Sequence, residues 1–71
     1  MPAPWNDYEE IVTHIYKFAT EATRSDILDI SYANDIADDV VDGFDALREG
    51  VMFKSADEVK AALQEVGQIT D

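Results

Sequence analysis

Aspartate carries the most concentrated chemistry in this chain. From Ser25 to Leu47 there are seven of them (Asp26, Asp29, Asp35, Asp38, Asp39, Asp42 and Asp45) and not one Lys or Arg. Carboxylates at that density can hold a hard cation, work as an acid–base pair, or present a negative field to a positive partner. Residues 38–49 match a calcium loop at its first, fifth, sixth and twelfth positions, Asp38, Asp42, Gly43 and Glu49. The third position, however, is Val40 where an oxygen ligand belongs, and the eighth, usually apolar, is Asp45. A helix accommodates all twelve residues, so no metal site is expected there.

Acid–base or nucleophilic catalysis finds no second partner. His14 is the lone imidazole and there is no Cys. The chain has no Gly-rich phosphate loop, no nucleophile elbow and no His-Glu metal motif. His14 reads as a partly exposed surface residue beside Glu10 and Lys17. No enzyme activity, metal or cofactor is expected.

The negative field remains. At about 100° per residue, Asp35, Asp38, Asp39, Asp42, Asp45 and Glu49 fall within a sector of roughly 120°, opposite an apolar stripe. On a continuous helix they form a ridge about 21 Å long with a charge every ~4 Å, near the ~3.4 Å per phosphate of one DNA strand. Such a ridge opposes the stability of its own helix, because like charges three and four residues apart repel and Asp is a poor helix-interior residue. A solvated face is served equally well by alternating Lys and Glu, so the pattern points to a positive target. The expected partner-binding set is Asp26, Asp29, Asp35, Asp38, Asp39, Asp42, Asp45 and Glu49. A bland alternative remains, in which acidity serves only solubility.

Three helices are predicted to position these residues, at about 7–23, 32–49 and 56–66. Asn6 with Asp7 opens the first, whose face is Tyr8, Ile11, Val12, Ile15, Phe18, Ala19 and Ala22. A turn or short helical piece is expected over 24–31. Ser31 is the predicted cap of the second helix, with Ala33, Ile36, Ala37, Val40, Val41, Phe44 and Leu47 as its stripe and Gly50 as its stop. Ser55-Ala56-Asp57-Glu58 reads as a capping box for the third, whose face is Val59, Ala62, Leu63 and Val66 and whose stop is Gly67. No alternating strand pattern appears, so the predicted fold is a small all-α, three-helix domain spanning 1–71.

The 71 residues hold 16 Asp+Glu against 5 Lys+Arg, a formal net charge of −11, and 46% apolar residues. The charge disfavours direct binding to nucleic acid or anionic lipid and favours a basic protein. The apolar share, with seven aromatic residues, is too high for a disordered acidic chain. The apolar runs are far shorter than the ~20 residues of a membrane span and no secretory leader is apparent, so a cytoplasmic protein is expected. A core this small leaves Trp5, Met52 and Phe53 as the expected self-association patch, hence a homodimer as the expected assembly.

One resemblance follows from the order of these segments. The aromatic-led start Tyr8-Glu9-Glu10-Ile11-Val12 to His14-Ile15-Tyr16, then Arg24-Ser25-Asp26-Ile27, the Asp-rich Asp35-Ile36-Ala37-Asp38 and a final Asp57-Glu58-Val59 resemble the phage-encoded Ocr-type anti-restriction proteins over most of the chain. Those are acidic, largely helical dimers whose carboxylates imitate DNA phosphates. The resemblance implies a decoy that occupies the basic nucleic-acid-binding surface of a target in the host cytoplasm. Small acidic anti-CRISPR proteins share the pattern. The competing expectation is a helical regulatory or interaction module that binds its partner through apolar residues.

Overall fold

The computed structural model describes residues 2–70 and contains four helices: α1 (Trp5–Phe18), α2 (Arg24–Ala33), α3 (Asp38–Asp45) and α4 (Ala56–Glu65). The all-α expectation holds, with one helix more than the three predicted. Among the described residues there is no strand, only two isolated bridges, Ala3 with Ile69 and Ala22 with Phe53.

α1 starts earlier than Asn6 implied, because the Pro4 carbonyl accepts the Asp7 amide at 3.0 Å and Pro4 takes the capping position. It also stops five residues before the predicted end. Ala19 is extended, and Ala22 exchanges two backbone hydrogen bonds with Phe53 at 2.9 and 2.8 Å, which the helix could not provide. Tyr8, Ile11, Val12 and Ile15 are buried as the spacing predicted, whereas Phe18, placed on the same face, is 84% exposed. It lies beyond the reach of the core, edge-on to His14 at 5.7 Å.

The predicted helix 32–49 is interrupted, and the interruption has a clear cause. α2 ends in a Schellman motif: the Asp35 amide donates to Tyr32 O at 3.2 Å and the Ile36 amide to Ser31 O at 3.2 Å. Asp35 sits at the left-handed position with φ 54°. Of the turn or short helical piece expected over 24–31, the helical alternative holds and extends to Ala33, started by a capping box in which the Thr23 hydroxyl accepts the Asp26 amide and the Asp26 carboxylate accepts the Thr23 amide. Ser31, predicted as a cap, is buried inside α2 and donates to Ile27 O at 2.8 Å. Ala33 and Ala37, placed on the buried stripe, are exposed at the break. α3 stops at Asp45, and Gly50, with φ 80°, belongs to the turn beyond it.

α4 starts and stops where its sequence signals put it, but Val66, placed on its packed face, is the C-terminal cap residue and is 42% exposed. The Ser55 hydroxyl accepts the Glu58 amide at 3.3 Å, and Gly67 ends the helix at φ 72° with a second Schellman motif. The Glu58 carboxylate accepts the Lys54 amide at 3.2 Å, one residue before the amide a capping box would use.

α1 packs on α2 and α4, and α2 packs on α3. Tyr8 lies fully buried at the centre, edge-on to Phe44 at 5.4 Å, with its hydroxyl donating to Gln68 O at 2.8 Å. Gly43 makes room for it: a Cβ there would lie 2.1 Å from the Tyr8 hydroxyl and 2.7–2.8 Å from the ring. The segments before α1 and after α4 meet beside this ring, the Ala3 amide donating to Gln68 O and the Thr70 amide to Ala3 O. Among the described residues no helix is long and apolar enough to cross a membrane.

Candidate acidic interface

α3 is short but strongly two-faced. Its buried side is Val40, Gly43 and Phe44, and Asp38, Asp39, Asp42 and Asp45 are exposed. At about 100° per residue, Asp38, Asp42 and Asp45 span some 60° diametrically opposite the buried side, with Asp39 on the flank. The stretch that partly matches a calcium loop is thus helical over Asp38–Asp45, with its four aspartates exposed. Among the described residues no group of three or more His, Cys, Asp or Glu side chains is arranged to hold a metal ion.

The eight predicted interface residues divide into groups. Asp38, Asp39 and Asp42 stand on α3 without a salt bridge. Asp45 and Glu49 are joined by Arg24: its Nη2 pairs with Asp45, its Nη1 lies 3.0 Å from Glu49, and its Nε donates to the Asp45 carbonyl at 3.0 Å. These are the salt bridges among the described residues, and the carboxylates remain 65% and 81% exposed. Arg24 lies one residue before the Lys/Arg-free stretch and returns to it through space, so the ridge is partly neutralised at this end. Asp26 belongs to the α2 cap, Asp29 is exposed on α2, and Asp35 terminates that helix. The continuous 35–49 ridge is therefore corrected to a shorter one on α3, flanked by isolated carboxylates.

The fold extends the negative surface in a direction the sequence did not reveal. Burial first, then the charges of Asp39 and Asp7, raise the Tyr8 phenol above its ordinary 10.0. Asp7, exposed in the first turn of α1, and Asp39 of α3 thus both act on this one phenol. Farther along α1, Glu9 and Glu10 wall an open groove of about 620 Å³ that is closed on the other side by Asn34 and Ile36 of the α2–α3 turn. His14 and Lys17 lie in the same groove. His14 is exposed, as its sequence context predicted, and its ring neighbour is Phe18.

The expected self-association patch does not assemble. Phe53 is 4% exposed, held by its backbone pairing with Ala22 and by the Tyr16 hydroxyl, which donates to Phe53 O at 2.6 Å. Trp5 is half-buried, with Nε1 donating to Glu9 at 3.2 Å and Lys60 Nζ 5.4 Å from the ring centroid. Met52, 44% exposed, is the member of the three that faces solvent freely.

Comparison with protein families, with characterised proteins and with solved structures finds no match to this chain.

Proposed function

We propose that this protein is a non-enzymatic acidic decoy, occupying the basic nucleic-acid-binding surface of another protein in the manner of anti-restriction or anti-CRISPR inhibitors. The observation that carries the reading is α3, where Asp38, Asp39, Asp42 and Asp45 are all exposed while Arg24 pairs only with its far end. From Asp38 to Asp45 the helix rises about 10.5 Å, so its four carboxylates are spaced by about 3.5 Å, close to the ~3.4 Å per phosphate of a DNA strand. Asp7 and the two glutamates of α1 widen that field. The mechanism is competitive occupancy, with fast, salt-sensitive association.

A host lysate passed over the immobilised protein at low salt, eluted at high salt and identified by mass spectrometry yields the target. Replacing Asp38, Asp39 and Asp42 together with Asn removes three charges and leaves the Arg24 clamp intact. Affinity for the recovered target should fall by at least about 30-fold, and the salt dependence of the remainder should flatten. A folded triple variant that binds at full strength sinks the proposal.

A further inference from the structure

Away from the aspartates, a second groove of about 370 Å³ runs between α4 and the chain that follows α3. Its floor is Leu47 and Phe53, each 4% exposed, and its lips are Val51 and Val66, 37% and 42% exposed. Those are two of the five large apolar side chains exposed among the described residues, and the fold sets them on opposite sides of one trough. The α4 wall is Glu58, Ala61, Ala62 and Glu65. These residues are spaced three, four and seven apart and so form one stripe along the helix. In its middle the alanines leave room for another backbone to approach, and at its ends stand two carboxylates about 10.5 Å apart.

We propose that this groove docks a short amphipathic helix with a basic flank, supplied by another protein. The apolar floor accepts side chains at i, i+3 or i+4 and i+7, the spacing by which an amphipathic helix fills a groove. Charge decides the flank. Glu58 and Glu65 lie two turns apart and face Lys or Arg seven residues apart on a helix lying alongside, while Arg48 on the opposite lip suits an acidic or polar residue. Glu58 uses a carboxylate oxygen to accept the Lys54 amide, which fixes the side chain at the rim. A second copy is the wrong occupant. Apposing two α4 stripes sets Glu58 and Glu65 against their own counterparts on chains that each carry −11. The inference is independent of the aspartate ridge.

The test uses three 15-residue fluorescein-labelled peptides and the full chain, read by fluorescence anisotropy and by amide chemical shifts. The first peptide has a leucine stripe and two lysines seven apart, the second replaces those lysines with glutamate, and the third keeps the first composition but scrambles the stripe. The first should bind and shift the amides of Val51, Ala61 and Val66. The second and third should each bind at least about 10-fold more weakly, the one through charge and the other through lost apolar contact. Ala61 is exposed, so Ala61→Lys should keep the fold, verified by circular dichroism and melting, and lower affinity for the first peptide by at least about 10-fold. The Asp38, Asp39 and Asp42 triple Asn variant should hold that affinity to within about threefold. Equal binding of the scrambled peptide, no effect of Ala61→Lys, or shifts on α3 in place of α4 would each overturn the proposal. So would a dimer in sedimentation that Ala61→Lys dissociates, since a second copy would then be the occupant.

Discussion

At the scale of single residues, two backbone positions are set by contacts that their neighbours in sequence do not reveal. Asp35 adopts φ 54° to end α2, a conformation that costs a non-glycine residue about 1 kcal/mol and glycine almost nothing. Its side chain makes no hydrogen bond that defines the turn, which rests on backbone amides. Asp35→Gly should therefore raise stability by about 0.5–1 kcal/mol, read as a higher denaturant midpoint with unchanged slope. A drop in midpoint would mean the carboxylate itself holds the turn. Gly43 is the opposite case. Adding a Cβ there forces Tyr8 out of the core, so Gly43→Ala should cost about 2 kcal/mol or more even though alanine is the better helix former. Removing the hydroxyl with Tyr8→Phe should rescue this incompletely, because ring carbons also lie within 2.8 Å of the new methyl.

At the scale of elements, side-chain caps start α2 and α4, whereas α1 and α3 begin without one. Thr23 with Asp26 caps α2, and Ser55 caps α4. Thr23→Ala and Ser55→Ala should each lower stability by about 1 kcal/mol, and the two losses should add, since the caps belong to separate helices. A midpoint unmoved by Thr23→Ala would place the start of α2 elsewhere. The Thr23-x-x-Asp26 signal is present in the sequence, yet Asp26 also fits the acidic pattern of 26–45 and reads as ridge on that ground. α3 has no side-chain cap at Ala37. Its first turn carries Asp38 and Asp39, which oppose the positive end of the helix dipole and so compensate in part for their mutual repulsion.

At the scale of the whole molecule, charge and burial set how the fold responds to solvent. With a net charge of −11 and few salt bridges, self-repulsion should be screened by salt, so the melting temperature should rise between 0.05 and 0.5 M NaCl. The triple Asn variant of α3 should show a smaller rise, and a fall in melting temperature with salt would contradict the electrostatic account. Alkaline pH acts through the tyrosines. Burial raises the phenols of Tyr8 and Tyr16 above 10.0, with Asp39 and Asp7 adding to the first and Glu58 to the second. A group whose folded pKa exceeds its unfolded value stabilises fully below the unfolded value and loses that contribution as pH rises toward the folded one. Stability measured from pH 9 upward should accordingly fall once pH passes about 10, and Tyr16→Phe should make that fall shallower while costing about 1 kcal/mol at pH 7 through loss of the bond to Phe53 O.

The sequence alone determined what depends on neighbours a few residues apart. The apolar spacing of Tyr8, Ile11, Val12 and Ile15, the Ser55 cap, the Gly67 stop and the outward face of Asp38, Asp42 and Asp45 were legible because a helix repeats every 3.6 residues. Tertiary structure decided the rest. The break at 34–37 was hidden because Asn34 and Asp35 are tolerable in a helix and become a stop only where Ile36 can pack on the core. Phe53 left the surface because Ala22, distant in sequence, pairs with its backbone, and the same pairing ended α1 early. Arg24 reached Asp45 and Glu49 because α2 folds back on α3, so the charge of the ridge was set by a contact across some twenty residues that no local periodicity encodes.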